Sequence, residues 1–159
     1  MSGTFSYDAD YIFPDITFLE RWSVGQGPHH VRVKSTAVRQ PVIPALTETI
    51  EIDGEKLPLS LETLMMAIAK KLNLSGFGAN GFGNGVPLKR PEDFYLKLMA
   101  NVAYGDKEGD VVPDANEKEL NLFKQSRRHL SPAVFNEQAW QKAVKPEDWK
   151  KVVTVLNRG

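Results

Sequence analysis

Five glycines lie within one ten-residue segment, Gly76 to Gly85, and this segment limits the folds that the chain can adopt. Glycine loses more conformational freedom on ordering than any other residue, so neither a helix nor a strand is expected to run through it. Apolar residues recur at helical spacing on both sides, from Leu61 to Leu72 and from Phe94 to Val102. The sequence therefore predicts two amphipathic helices separated by a loop.

The glycine segment also matches the dinucleotide-binding pattern by its letters, since Gly76, Gly78 and Gly81 have the Gly-x-Gly-x-x-Gly spacing. That pattern binds phosphate only when a strand precedes it and the N-terminus of a helix follows it. Here a helix precedes it and a proline-containing stretch follows. We interpret the segment as a flexible or lid-like loop with Phe77 and Phe82 as aromatic anchors.

The remaining elements predict a helix-rich α/β or α+β fold with short strands near both termini. Ser60 is a suitable N-cap for the first helix, and Pro91 suits the first turn of the second. Asp53-Gly54 predicts a small hairpin. Further predictions follow for a buried strand at Tyr11-Ile12-Phe13, helices at 115–130 and after Asn136, and a strand at 151–156.

Composition excludes several classes of function. The 159 residues carry 20 basic and 20 acidic side chains, which gives no electrostatic reason to expect nucleic acid as a partner. The absence of cysteine excludes disulfides and thiolate-bound metals or clusters within this chain. Adjacent His29 and His30 would point to opposite faces of an extended segment and make a poor chelating pair. No secretory signal or membrane-spanning run is expected in these residues.

One segment carries candidate binding chemistry, the charged pair Glu20-Arg21 just beyond the predicted strand at Tyr11-Ile12-Phe13. In open α/β sheets, ligands bind beyond the carboxyl ends of the strands. A surface ion pair on a short helix explains the same residues. From the residues alone, both interpretations remain open.

The same segment resembles a known signature. Ala9-Asp10-Tyr11-Ile12-Phe13-Pro14-Asp15, followed by Leu19-Glu20-Arg21, resembles a motif of the molybdopterin oxidoreductases related to dimethyl sulfoxide reductase. Residues 90–106 and 149–159 are similar to the large subunits of the tetrathionate reductase family. The resemblance extends over almost the whole chain and implies that it is an internal fragment of a much longer catalytic subunit.

The resemblance implies specific roles. Residues 1–75 would belong to the cofactor-binding part of an interrupted α/β domain, and residues 76–159 would be a helical insertion that returns to a strand at 151–156. The cofactor would be a bis-molybdopterin guanine dinucleotide with molybdenum or tungsten, contacted by Arg21. Glu20 would orient Arg21, and Ser60 would approach the cofactor where relatives commonly have an aspartate. The resemblance implies no catalytic and no metal-ligating residue in this chain.

For the parent protein, the resemblance implies a periplasmic reductase of tetrathionate or a related sulfur oxyanion. The present chain would form part of its cofactor and substrate funnel and would be inactive alone. The partners would be the rest of the catalytic subunit, an iron–sulfur subunit for electron transfer, and a membrane anchor subunit. An iron–sulfur cluster of the parent would lie outside this chain. The alternatives are a reductase of polysulfide, thiosulfate, arsenate or selenate, or a stand-alone non-catalytic binding module.

Overall fold

The structure, a computed structural model, describes residues 7–26 and 36–158. Within these residues, four short strands precede five α-helices along the chain. The strands are β1 (Ser23–Gln26), β2 (Thr36–Arg39), β3 (Thr49–Ile52) and β4 (Glu55–Pro58). The helices are α1 (Leu61–Lys71), α2 (Pro91–Tyr104), α3 (Glu117–Arg127), α4 (Glu137–Lys142) and α5 (Trp149–Arg158), with one 3-10 turn at Pro146–Asp148 before α5. The predicted helix-rich α+β class is confirmed.

The strands form two separate two-stranded antiparallel sheets, β1 with β2 and β3 with β4. The second is the hairpin that Asp53-Gly54 predicted, with Ile52 opposite Glu55. Both turn residues have positive φ, 55° at Asp53 and 78° at Gly54, which is what a tight two-residue hairpin turn requires. Ile52 and Leu57 of this hairpin pack against Met66 of α1 in a small apolar cluster.

The predicted helix starts are confirmed at three places. The Ser60 hydroxyl accepts a hydrogen bond from the Thr63 N–H, and the Asn136 side chain accepts one from the Ala139 N–H. Pro91 occupies the first turn of α2. The first N–H groups of a helix have no acceptor within the helix. A capping side chain accepts a hydrogen bond from one of them, and proline has no N–H to leave unpaired, so both stabilise the start of the helix. The third helix is shorter than the predicted 115–130, because Asn116 caps it.

The main core belongs to the C-terminal half of the chain. Helix α5 packs against α2 and α3, and α4 contacts α2. The buried side chains are large and predominantly apolar: Trp22, Leu96, Met99, Phe123, Trp140, Trp149, Val152 and Val153. Phe123 lies among rings, with Phe135 at 5.6 Å and Trp149 at 5.7 Å, both edge-on. Such pairs add to the free energy gained from apolar burial alone.

The predicted strand at 151–156 is wrong, because these residues lie in helix α5. Their β-branched composition favours a strand in isolation, but tertiary packing overrides that preference. Val152 and Val153 are fully buried against the core. The Thr154 hydroxyl donates to the Pro113 carbonyl oxygen at 2.8 Å, which fastens α5 to the loop before α3.

The predicted buried strand at Tyr11-Ile12-Phe13 is also wrong. These residues form no strand, and all three side chains are exposed. Among the described residues, no neighbouring strand is available to pair with them. The adjacent His29 and His30 lie outside the described residues. In the described part of the chain, no helix is long and apolar enough to span a membrane.

The glycine segment is a loop, as predicted, but hydrogen bonds within it hold it in shape. Gly78 and Leu88 exchange backbone hydrogen bonds of 2.9 and 2.8 Å, and Phe82 N–H donates to the Val86 carbonyl. At Gly81, a Cβ atom would lie 2.5 Å from the Cβ of Leu88, so only glycine fits there. The strand and helix terminus of a dinucleotide site do not flank the loop.

Candidate functional site

A cavity of about 420 Å³ lies between the segment 16–22, the hairpin, the start of α1, the start of α2 and α4. Its charged and aromatic lining includes Arg21, Trp22, Glu55, Lys56, Glu62, Arg90, Glu92 and Trp140. Glu20, Arg21 and Ser60, the three predicted site residues, also line it. The tertiary structure therefore brings them to one place although Ser60 lies far along the chain.

Arg21 is held by two carboxylates. Its Nη1 donates to Asp15 Oδ2 at 2.9 Å, and its Nη2 donates to Glu62 Oε1 at 2.6 Å. Asp15 is fixed in turn, because its Oδ1 accepts the backbone N–H of Leu61 at the start of α1. The guanidinium therefore joins the segment 15–21 to α1 across the cavity wall.

Two buried polar atoms of this pair have no partner in the described structure, Arg21 Nε and Glu62 Oε2. One is a donor and the other is an acceptor, so the pair retains unused hydrogen-bonding capacity of both kinds. Burial lowers the pKa of Arg21. The hydrogen bond and charge of Glu62, together with the charge of Asp15, raise the pKa by more than burial lowers it, so the net shift is upward. Arg21 is thus a fixed cation in the cavity wall.

Glu20 does not orient Arg21, contrary to the expectation from sequence. Its Oε2 accepts hydrogen bonds from the backbone N–H and the hydroxyl of Thr17, and its Oε1 accepts one from Leu46 N–H. The backbone donors of Leu46 and Thr17 lower the pKa of Glu20. These hydrogen bonds fasten the extended segment 40–46 to the turn at 17–20.

Ser60 uses its hydroxyl for the helix cap. The residue is buried, and Thr63 returns the interaction by accepting the Ser60 N–H. The carboxylate nearest to Arg21 on α1 is Glu62, which sequence reasoning does not single out. An acid in a first turn is explained by the helix dipole in most helices, so nothing in the sequence separates Glu62 from Glu92 or Glu117.

A second charged cluster, from the hairpin and the start of α2, also lines the cavity. Arg90 Nε contacts Glu55 Oε1 at 2.7 Å, and Arg90 Nη1 lies 3.8 Å from Glu92 Oε1. Burial raises the pKa of Glu92, and Asp93 and Glu55 act in the same direction, while Arg90 partly offsets them. The cavity lining therefore contains two charged clusters, each with an arginine and carboxylates.

Aromatic rings pack around Trp22, the residue that follows Arg21. Trp22 follows Arg21 directly, is buried, and stacks on Tyr95 of α2 with ring centres 5.7 Å apart. It also contacts Trp140 of α4 at 5.0 Å. Burial, followed by the charge of the Glu62 carboxylate and a hydrogen bond with it, raises the pKa of Tyr95, whereas the charge of Arg21 lowers it. Trp22 thus anchors the backbone next to Arg21 in the main core. This anchor restricts the position of the Arg21 guanidinium.

Other candidate chemistry is absent from the cavity. No group of His, Asp and Glu in residues 7–26 and 36–158 could hold a metal ion. The glycine loop borders a smaller cavity near Asp53 and Lys70, away from Arg21. Arg127, at the end of α3, donates to Gln40 and to the Phe123 carbonyl, and burial lowers its pKa to about 10. Arg127 therefore satisfies a carbonyl oxygen in the last turn of α3.

Comparison with known proteins identifies relatives of the chain. It is 53% identical over 157 residues to the A subunit of the selenate reductase of Mesobacillus selenatarsenatis, a match that covers 99% of the chain and 15% of the relative. It is 36% identical over 155 residues to the A subunit of the tetrathionate reductase of Salmonella typhimurium, a match that covers 95% of the chain and 14% of the relative. No family model matches the chain, and no solved structure matches it significantly.

The chain is therefore homologous to a segment of the A subunits of these reductases, and the predicted resemblance to molybdopterin oxidoreductases is confirmed. One relative belongs to a selenate reductase and the other to a tetrathionate reductase. The chain spans only 15% and 14% of their lengths. It corresponds to one part of such a polypeptide.

Proposed function

We propose that this chain is a segment of the catalytic subunit of a molybdopterin-dependent oxyanion reductase and that its Arg21–Glu62 cavity holds the guanine dinucleotide end of the cofactor. The observation that carries the proposal is the pair of unpartnered buried atoms, Arg21 Nε and Glu62 Oε2. A buried polar atom without a partner destabilises a fold, so such a pair is expected where a ligand supplies the missing hydrogen bonds.

The residues present fit a guanine nucleotide. Guanine has N–H donors on one edge and carbonyl and ring-nitrogen acceptors on another, while the diphosphate offers only acceptors. Glu62 Oε2 is an acceptor suited to the N–H edge. Arg21 Nε is a donor suited to phosphate or to the acceptor edge, and a guanidinium presents its donors in a fixed plane. The Ser60 hydroxyl is already occupied, so Glu62 supplies the carboxylate that the cap lacks.

In this proposal the cofactor, when bound, supplies the two-electron redox chemistry at its metal. The residues of the chain bind and orient its distal end. Arg21 contributes a permanent positive charge next to the phosphates, and Trp22 keeps that charge in place through its contacts with Tyr95 and Trp140. The Arg90–Glu55 pair also lines the cavity.

The homology supports a reductase of a group 16 oxyanion as the parent enzyme. Selenate and tetrathionate are the substrates in the names of the two relatives, and identity to the selenate enzyme is higher. Selenate is therefore the first substrate to assay, with tetrathionate second. The relatives are named as A subunits, which supports a complex with further subunits. An iron–sulfur subunit, a membrane anchor and a periplasmic location of the parent remain predictions.

Titration calorimetry of guanosine diphosphate into the purified chain tests the cavity assignment. Arg21→Ala and Glu62→Gln are both expected to weaken binding at least about tenfold, the effect of losing one charge-assisted hydrogen bond. Arg128→Ala is the matched control, because Arg128 is an exposed arginine that does not line the cavity. It should leave binding unchanged.

Inosine diphosphate separates the two roles, because it lacks the 2-amino group of guanine. If the Glu62 carboxylate accepts hydrogen bonds from the N–H groups of guanine, inosine diphosphate should bind the original chain more weakly than guanosine diphosphate. The Glu62→Gln variant should show a smaller difference in affinity between the two nucleotides. Equal binding by the original chain, Arg21→Ala and Glu62→Gln would show that the nucleotide lies elsewhere. Absence of binding to a chain that still melts cooperatively would contradict a nucleotide site within these residues.

A stand-alone binding module is the alternative from a different class. A reading frame that continues on either side of these residues into a long reductase subunit would exclude it. The exposed apolar surface of the N-terminal half also opposes it, since soluble monomers rarely leave a large apolar patch uncovered.

A further inference from the structure

Helix α1 is amphipathic, but its larger apolar side chains point away from the rest of the chain. The face that packs on the hairpin presents Thr63, Met66 and Ala69, which are buried. The opposite face carries Leu61, Met65, Ile68 and Leu72, with exposed fractions of 51%, 53%, 43% and 64%. A helix at a protein surface normally shows the reverse arrangement, with its larger apolar stripe toward the core.

The exposed stripe has the geometry of a helix-packing seam. Successive members are separated by four, three and four residues, which keeps them on one side of an α-helix. The stripe runs the length of α1, about 16 Å at 1.5 Å per residue. No charged residue interrupts the seam itself, and Lys70 lies on the hairpin side of the helix, where it contacts Asp53 at 2.5 Å.

A second exposed apolar segment lies close to the start of this stripe. Asp15 Oδ1 accepts the Leu61 N–H at 3.2 Å, so the residues before Asp15 lead directly to the N-terminus of α1. These residues include Tyr11, Ile12 and Phe13, all strongly exposed. The N-terminal half therefore presents two neighbouring apolar surfaces rather than isolated apolar residues.

We propose that the α1 stripe (Leu61, Met65, Ile68 and Leu72) is a docking surface for an apolar helix in the same polypeptide, outside these 159 residues. The relatives are the argument for this occupant. Nearly the whole chain aligns to them, yet it spans only 15% and 14% of their lengths, so most of such a polypeptide lies outside this chain. The seam spacing matches a facing helix, which buries such a stripe by ridge-and-groove packing.

This inference rests on the chain being a segment of a longer polypeptide, which the homology supports, and not on nucleotide binding by Arg21. Loss of guanosine diphosphate binding would leave it unaffected. Conversely, docking of α1 could fail while the cavity still binds the nucleotide. The two proposals are therefore tested by different measurements on different faces of α1.

Hydrogen–deuterium exchange of the α1 amides, compared between the full-length polypeptide and the 159-residue chain, tests the docking surface. We expect exchange at least about tenfold slower in the full-length protein, because docking suppresses local opening of the helix. Met65→Asp with Ile68→Asp should restore fast exchange in the full-length protein while leaving the isolated chain little changed. Leu122→Asp, at an exposed leucine of α3, is the matched control and should not affect α1.

Two results would overturn the proposal. Equal α1 exchange in the two proteins would show that no helix covers the stripe. Sedimentation velocity provides the other test. If the full-length protein dimerises with concentration and Ile68→Asp abolishes the dimer, then a second copy covers the stripe. A full-length protein that remains monomeric while protecting α1 supports the proposal.

Discussion

The two halves of the described structure differ in where their apolar residues lie. In the C-terminal half, α2, α3, α4 and α5 enclose a core that includes the fully buried Phe123, Val152 and Val153. In the N-terminal half, the β3–β4 hairpin and α1 share a cluster built on three buried residues, and many larger apolar side chains remain exposed. One half encloses a large apolar core, whereas the other leaves much of its apolar surface exposed.

This difference locates the candidate site. The cavity around Arg21 lies where the two halves meet, and its lining includes Glu62 from α1 and Arg90 from the start of α2. Trp22 extends from the N-terminal segment into the C-terminal core. The large core therefore holds Trp22, which directly follows Arg21 of the site.

The largest expected effect is in the closed core. Phe123→Ala should lower the free energy of unfolding by about 3–5 kcal/mol, because it removes a fully buried ring and leaves a cavity. Phe13→Ala, at an exposed ring in the open half, should change it by less than about 0.5 kcal/mol. Urea unfolding of the two variants measures both values. Similar losses would show that the halves are equally packed.

The next effect concerns the ion pair at the junction. Arg21→Ala leaves the partly buried Glu62 carboxylate without its cation and should cost about 1–2 kcal/mol. Lys124→Ala removes an exposed partner of Glu137, at 3.6 Å, and should cost no more than about 0.5 kcal/mol. Thermal unfolding at low and high salt checks the pair. A salt-insensitive Tm difference between Arg21→Ala and the original chain supports burial of this contact.

A smaller, pH-dependent effect is expected at Glu92. Because burial raises its pKa in the folded state, the neutral form is favoured there, and ionisation destabilises the fold as the pH rises above the ordinary glutamate pKa of about 4.3. Glu92→Gln should therefore raise Tm at pH 7, and the gain should disappear at low pH. Glu117→Gln, at an exposed first-turn acid of α3, controls for the helix dipole. A gain that is constant with pH would contradict the argument.

The smallest expected changes in Tm come from two Asp–Lys pairs, one in each half, and they should be equal. Asp53 pairs with Lys70 in the open half, and Asp114 pairs with Lys151 in the closed half. The hydrogen bond from each lysine lowers the pKa of its aspartate, so this stabilisation is present above the ordinary aspartate pKa and is lost as the pH falls. Asp53→Asn and Asp114→Asn should each lower Tm slightly at pH 7 and not at pH 2. A large loss of Tm in only one of the two variants would contradict this expectation.

Local signals predicted much of the secondary structure. Ser60, Pro91 and Asn136 fixed helix starts, and Asp53-Gly54 fixed the hairpin, because capping and turn chemistry act within a few residues. The strand prediction for residues 151–156 was wrong because the segment has both a β-branched composition, which favours a strand, and a helical spacing of its apolar residues. Trp149, Val152, Val153 and Leu156 recur at helical spacing, and packing against α2 and α3 decides the outcome.

The site was predicted in part. Glu20, Arg21 and Ser60 do line one cavity, and their binding role stays a prediction. Glu62 was missed because its pairing with Arg21 spans 41 residues of sequence. A long-range contact leaves no trace in local spacing, whereas the Glu20-Arg21 pair is visible in two adjacent letters.

By itself, the sequence determined the helix-rich class, the resemblance to reductase catalytic subunits, the loop at 76–85 and the capped helix starts. Each follows from motifs or from interactions between neighbours in the chain. Only the tertiary structure decided that α5 is a helix, that Glu62 holds Arg21, and that the larger apolar face of α1 is exposed. Those outcomes depend on which distant surfaces meet, because burial is a property of the assembled fold.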